Sequence, residues 1–511
     1  MQSAMPEPSG SSGLREAVLA GPAGATPADA AAGINPLWVV ASPGRVRAAL
    51  AAAGHADQRS RALTGAVTTV LVLGLCLFSG TGCAVVLARL WPLLIPFNPR
   101  LVMSGPVTAV ALSQARARLS PRVLEALFTA GTRREHGDLP GLRTFGLVVT
   151  AVDGTVVDLP AARPIRRRFA IPAGGRFPQA RLVTLVACGT RRILGAVMDS
   201  CAVAEPVLWD RLAGHLTPGT LNLADRGFFS LRRWHTATGT GAQLIWRVKN
   251  GTRSLPVRII AALPDGSVLV VLRESDAMLS ARRKAAGDRT LARLPEVLAR
   301  LVEFTVTGRD ASGRSSKPSR FRVLTTLLDH DAYPARQVAA CYAQRWQVEL
   351  VYKSIKSTLR GAGRRLRGQT PELVEQEIWG LLAVYNAVVD QAVAAAVDLG
   401  VDPDEISFTA ALWATRDHLI TGAPCPGCGH QPGQEDLTAA ITTSPRNPTD
   451  RQRTSPRTKK DRQTQHTRDV TYTIRITEPA LPRATEEQQT QHAYDVTYTT
   501  HAQNSTLPRA A

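Results

Sequence analysis

Between Phe145 and Lys249 the chain switches repeatedly between short β-branched runs and helical periods, and this alternation limits its fold more than any other feature. FGLVVTAV (145–152) reads as a strand ending at Asp153. RLVTLVAC (181–188) and RILGAVM (192–198) read as two more strands around the turn signal Gly189-Thr190. AEPVLWDRLAGHL (204–216) is helical and closed by Pro218-Gly219, and GTLNLA is a fourth strand running into Asp225. LRRWHTATG is then helical and QLIWRVK is a fifth strand. Such an order buries its apolar runs in a mixed α/β sheet.

Strand, strand, strand, helix, strand, helix, strand is also the order of a ribonuclease-H-like core. The core is expected over 140–250 and again over 331–420, around a β-rich insertion at 251–330. In that insertion VRIIAAL, SVLVVLR, RLVEFTVTG and FRVLTTL read as strands and ARRKAAGDR as a loop. Helix returns at Pro334 and continues to about Leu399, interrupted from Arg360 to Gly363. Residues 46–135 carry apolar residues at three- and four-residue spacing and read as an all-α N-terminal domain. Arg116, Arg118 and Arg122 on its last helical stretch make it a candidate for binding DNA. Residues 1–45, rich in Ala, Gly, Pro and Ser, read as a disordered leader. Residues 425–511 read as a disordered basic and polar tail, in which TQHTRDVTYT (464–473) recurs as TQHAYDVTYT (490–499).

Charge narrows the partners. Sixty-one Lys+Arg against 41 Asp+Glu give a formal net charge of +20. An excess of that size favours a polyanion, because each neutralised phosphate releases counterions. Seven cysteines, mostly single, make no disulfide framework and fit a reducing cytoplasm. Cys425-Pro-Gly-Cys428-Gly-His430 has the spacing of half a zinc site, but without a second pair nearby it reads as a turn-rich loop. Ala62 to Ala88 carries no charge and is long enough for a membrane span. Its glycines and the break FSGTG (78–82) instead predict two shorter buried helices, and it begins too late to be a signal peptide.

Three acids stand out as chemistry. Asp153 in VTAVDGTVVDL and Asp225 in LNLADRGFF are expected at the C-terminal ends of strands, where open α/β sheets bind ligands. Gly154 and Gly227 follow them closely and let backbone approach a bound group. Glu349 lies in the helical run CYAQRWQVELVYKSIKSTLR. Mg2+ takes oxygen ligands, and three carboxylates can bridge two ions, one at the attacking oxygen and one at the leaving oxygen of a phosphodiester. At about 100° per residue, Tyr342, Arg345, Glu349, Lys353 and Lys356 share a helix face about 80° wide. Three bases and a phenol around one acid fit a phosphate backbone running along that helix.

The spacing Tyr342-x2-Arg345-x3-Glu349-x6-Lys356 resembles the signature of the DDE transposases of the insertion sequence four family. VDGT at Asp153 and ADRGF at Asp225 resemble that family's first two catalytic motifs, and TTVLVLGLCLFSGTGCAVVLARLW resembles part of its N-terminal domain. The resemblance spans roughly residues 40 to 420. It implies a ribonuclease-H-like catalytic core with a β-rich insertion, in which Asp153, Asp225 and Glu349 hold two Mg2+ ions that Mn2+ can replace. It further implies DNA contacts from Tyr342, Arg345, Lys353 and Lys356. The expected partners are double-stranded DNA (terminal inverted repeats and target) and a second copy of the chain in the active complex, with no membrane. In the family an aromatic of the insertion can stack a flipped base; Trp246 and Phe321 are the candidates, with core packing as the default for both. The alternatives are a DNA-binding remnant without activity and a membrane-anchored protein.

Overall fold

The computed structural model describes residues 37–57, 61–103, 107–132, 139–250, 257–309, 313–421, 433–445 and 471–477. Most of the expected leader, the segment Cys425 to His430 and the second copy of the tail repeat lie outside these residues. The helical N-terminal part contains α1 (Trp38–Ala41), α2 (Pro43–Ala52), α3 (Gly65–Leu77), α4 (Cys83–Leu94), α5 (Ala109–Arg118) and α6 (Pro121–Gly131). Then come β1 (Arg143–Thr144), β2 (Leu147–Asp158), α7 (Arg163–Arg168), β3 (Gln179–Ala187), β4 (Ile193–Ser200) and α8 (Glu205–Leu212). β5 (Thr220–Ala224), α9 (Leu231–Thr238) and β6 (Gln243–Arg247) follow. β7 (Val257–Ala262), β8 (Val268–Leu272), α10 (Asp276–Ala286), β9 (Val297–Arg309) and β10 (Ser319–Thr325) occupy the expected insertion. The remainder is α11 (Ala335–Ala343), α12 (Gln347–Lys353), α13 (Pro371–Leu399), α14 (Phe408–Thr421), α15 (Gln434–Thr442) and β11 (Thr471–Ile476).

These elements form two compact units. The first comprises Met1–Arg143, Asp153–Leu208 and Gln347–Asp450, and its described part is built around α13. Thr370 caps that helix by accepting from the Leu373 N–H, Pro371 needs no partner in its first turn, and Gly400 ends it in the left-handed region. From Val374 to Val397 almost every position is buried, so the helix is apolar all round and packs against α3, α6 and α14. It is the one helix among the described residues long and apolar enough to cross a membrane, and its apolar window is wholly buried inside the protein. The uncharged stretch from Ala62 divides as its glycines suggest. α3 has 13 residues and α4 has 12, short of the roughly 20 a crossing needs. Arg367 holds the break open by donating to the carbonyls of Ser79 (2.7 Å) and Thr81 (2.8 Å).

One expectation in this unit fails. Arg116 was expected on a DNA-facing side with Arg118 and Arg122, but it is buried and pairs with Glu377 of α13 at 2.7 Å. The helical stretch breaks at Leu119-Ser120, and Gln376 caps the broken end by donating to the carbonyls of Arg116 and Leu119. That turns Arg116 inward and leaves Arg118 and Arg122 exposed.

The second unit comprises Thr144–Val152, Trp209–Trp346 and Arg451–Ala511. Its strands run in the order β2-β5-β6-β10-β9-β8-β7. β2, β5 and β6 are parallel, and from β6 onward neighbours are antiparallel. The strands expected as a separate insertion therefore continue one sheet. Val323, Leu324 and Thr325 of β10 pair with Arg247, Trp246 and Ile245 of β6, whose second edge would otherwise bury unpaired backbone groups. ARRKAAGDR, expected as a loop, mostly belongs to α10. Ser275 caps that helix through the Met278 N–H, and Gly287 closes it at φ 68°.

The tail is also corrected where it is described. α15 buries Leu437 and Ile441, and β11 pairs with β9 from Thr471↔Arg309 to Ile476↔Phe304. β8 covers β9 only as far as Leu301, so β11 supplies partners for the rest of that edge. Tyr472, Ile474 and Ile476 alternate toward the packed face.

Candidate active site

Asp153 does not end its strand as expected, because β2 runs on to Asp158. In the first unit its backbone carbonyl accepts a 2.6 Å hydrogen bond from the Tyr352 hydroxyl, which also bonds Thr184 Oγ1 of β3 at 2.8 Å. Burial, and then the negative charge of Asp153, push the Tyr352 phenol well above its usual range, so it remains a neutral donor. Tyr352 stands three residues after Glu349 on α12, which places both on one side of that helix. One turn further, Lys356 Nζ donates to Thr155 Oγ1 at 2.6 Å. Two bonds thus fasten the helix carrying Glu349 to the strand carrying Asp153. The start of α12 is fixed as well. Arg191, at a φ of 61° that non-glycine residues seldom adopt, donates through Nε to Gln347 Oε1 at 2.7 Å and pairs with Asp404.

Tyr352→Phe is expected to lower stability by about 1–3 kcal/mol, because the half-buried Asp153 carbonyl and the buried Thr184 hydroxyl both lose their shared partner. Thermal melting of the variant checks this, and an unchanged melting temperature would contradict it.

Asp225 follows β5 directly, as expected, and belongs to the second unit. Its Oδ1 lies 3.3 Å from Arg247 Nη1, and its backbone carbonyl accepts from Phe228 N in the turn that follows. Arg247 also lies over the Phe321 ring, 4.2 Å from its centroid. Within this unit Val152 pairs in parallel with Ala224, and in both strands the next residue is the aspartate.

Several other expectations change. Tyr342 to Lys356 is not one α-helix. α11 ends at Ala343, a 3-10 turn covers Gln344–Trp346, α12 follows, and Ser354–Leu359 is a π-helix. The shared face counted at a constant rotation is therefore interrupted. Tyr342, expected against DNA, is buried, with its hydroxyl directed at the Ala224 carbonyl at 3.4 Å. Arg345 and Lys356 are half-buried and Lys353 is exposed. Trp246 is wholly buried between Trp209 and Trp234 and donates to Asn222 Oδ1. Phe321 is buried too, stacked on Phe304 at 5.3 Å, so both rings have the default core role. Tyr472 and Ile474 of β11 join Phe304, Phe321, Arg345 and Trp346 around a cavity of about 60 Å3.

The donors suit a hard divalent cation. Asp153 and Glu349 offer carboxylate oxygens, and the Glu205 carboxyl lies against the backbone of Gly154 beside Asp153. A second acidic group, Asp329-His330-Asp331, lies mainly exposed after β10, where Asp329 Oδ1 caps the N–H groups of Asp331 and Ala332 as a turn. None of the three expected acids belongs to it.

The family described as transposase DDE domain matches residues 144–387, and the family described as insertion element 4 transposase N-terminal matches residues 34–129. The transposase InsG for insertion sequence element IS4 from Escherichia coli K12 is 28% identical over 388 residues, covering 74% of this chain and 81% of that protein. The transposase for insertion sequence element IS421 from Escherichia coli is 36% identical over 99 residues, covering 19% of this chain and 26% of that protein. A solved structure, the piggyBac transposase synaptic complex with hairpin DNA, is a remote likeness at 9% identity and a TM-score of 0.40, over 80% of this chain and 84% of that one. The chain belongs to the DDE transposases of the insertion element 4 type, enzymes that cleave DNA and transfer its strands.

Proposed function

We propose that Asp153, Asp225 and Glu349 hold two Mg2+ ions, replaceable by Mn2+, and that the chain uses them to cut its element free at terminal inverted repeats and join it to target DNA. The reading rests chiefly on the hydrogen bond from Tyr352, beside Glu349, to the backbone of Asp153. The Val152↔Ala224 register, followed in each strand by an aspartate, supports it. Bound there, Mg2+ supplies positive charge against the charge that develops on the attacking and leaving oxygens.

In the first step a water oxygen bonds to phosphorus, the bond to the 3′ oxygen breaks, and that oxygen leaves as a hydroxyl. In the second step this hydroxyl attacks a target phosphodiester and displaces another 3′ oxygen, with no covalent enzyme intermediate. The three carboxylates fix the geometry, while Arg345, Lys353 and Lys356 grip backbone phosphates. Bringing two element ends together calls for at least two copies of the chain. The direct test is incubation of a terminal-repeat duplex with the purified chain in Mg2+ and in EDTA. Nicking at the repeat boundary in Mg2+ alone is expected, and nicking in EDTA would contradict the metal-dependent reading.

The basic residues give a separate expectation. Lys353→Ala and Arg345→Ala weaken binding of every DNA sequence about equally, and the log–log salt slope becomes shallower by about one unit per lost phosphate contact. Lys356 has a second reading, since its ammonium already bonds Thr155. For Lys356→Ala, an unchanged slope with a lower melting temperature would assign it to structure rather than to DNA.

A further inference from the structure

Glu205 opens α8 in the first unit, where an acid has an ordinary reason to stand: the first turn of a helix favours negative charge. Its surroundings go beyond that reason. A Cβ built on Gly154 would lie 2.5 Å from Glu205 Cδ and 2.7 Å from its Oε1. No side chain could occupy position 154 with Glu205 where it is. Gly154 is not among the glycines with positive φ, so close approach and not backbone conformation favours glycine there, and any larger residue would displace the end of the Glu205 side chain. The Glu205 carboxyl therefore lies against the backbone immediately after Asp153. The Gly154 N–H also donates to Asp153 Oδ1 at 2.8 Å, so the two acids lie on either side of one residue and share one neighbourhood. Like charges gathered in a half-buried place repel, and a cation relieves that repulsion.

We infer that Glu205 is a fourth carboxylate of the metal-binding group, reaching the ion held by Asp153 either directly or through a coordinated water. The inference rests on the reading of Asp153 as a metal ligand. Mg2+ keeps several waters when bound by one or two carboxylates, which leaves room for such a contact. The glycine after Asp153 thus leaves room for the acid of α8.

The test measures Mn2+ binding to the full-length, metal-free protein by the loss of the free-ion paramagnetic resonance signal. The proteins are wild type, Glu205→Gln, Glu205→Asp and Asp153→Asn, with Glu296→Gln, at a partly exposed acid of the second unit, as control. Glu205→Gln is expected to weaken Mn2+ binding about tenfold or more, with melting in EDTA unchanged and cleavage recovering as Mg2+ is raised. Glu205→Asp, which keeps the charge on a shorter stem, should fall between wild type and Glu205→Gln. Wild-type affinity in Glu205→Gln, or equal affinities in the two Glu205 variants, overturns the inference. If Asp153→Asn loses Mn2+ while Glu205→Gln does not, this inference alone fails. If Asp153→Asn binds Mn2+ as wild type does, the parent reading fails with it.

Discussion

Asp153→Asn, Asp225→Asn and Glu349→Gln should each abolish strand cleavage while leaving binding of the element ends largely intact. Each substitution keeps size and polarity but removes a negative oxygen donor, so the loss falls on the transition state rather than on the grip of the phosphates. Several kcal/mol of charge stabilisation correspond to a rate loss of about a thousandfold or more. The structure adds a reason to expect folded variants. Asp153 is tied to α12 through its backbone carbonyl, which Asn retains. Asp225 is only partly buried against Arg247, and Asn can still accept from that guanidinium. Cleavage assays and gel-shift titrations on one terminal-repeat duplex separate the two effects. Wild-type cleavage in Mg2+ by any of the three would remove that residue from the site.

The largest stability effect is expected at Arg192. Its side chain is fully buried, and Nε lies 2.6 Å from Asp390 Oδ1 on α13, itself 2% exposed. The other guanidinium nitrogens donate to the carbonyls of Gly131 and Thr132 at the end of α6. One residue at the start of β4 therefore joins a strand and two helices of the first unit. Arg192→Met removes the guanidinium that faces the buried Asp390 carboxylate, which costs about 3–5 kcal/mol. Arg192→Met with Asp390→Leu should recover much of this, since an apolar pair carries no desolvation penalty. Urea unfolding of the single and double variants decides the matter. A loss below about 1 kcal/mol in the single variant, the size of an exposed pair, would contradict the account.

What could be read in the sequence were features carried by neighbouring residues. The strand leading to Asp225, the two helices either side of Phe78–Gly82 and the end of helix near Leu399 follow from local periodicity and turn residues. What could not be read depends on partners far along the chain. β10 belongs beside β6 because both have complementary free edges, and nothing within FRVLTTL names its neighbour. Arg116 looked like a surface base until Glu377, distant in sequence, took it inward. Nothing local singles out Tyr352 or Glu205, because a tyrosine on an apolar helix and an acid in a first turn each have common explanations. The tail shows the opposite failure. TYTIRI alternates as a strand should, but the polar composition around it masked the signal. β11 makes part of that tail a piece of the sheet, so truncation before Thr471 would uncover the β9 edge.

Whether these acids touch the metal is asked most directly by a change of ligand type. Asp225→Cys replaces a hard oxygen donor with a softer thiolate, which Mn2+ tolerates better than Mg2+. The account predicts cleavage of the terminal-repeat duplex by this variant in Mn2+ and a loss of at least about a hundredfold in Mg2+, where wild type works in both. Equal cleavage in the two metals would contradict it, because residue 225 would then lie outside the coordination shell. Loss in both metals with Mn2+ binding unchanged from wild type would contradict it equally.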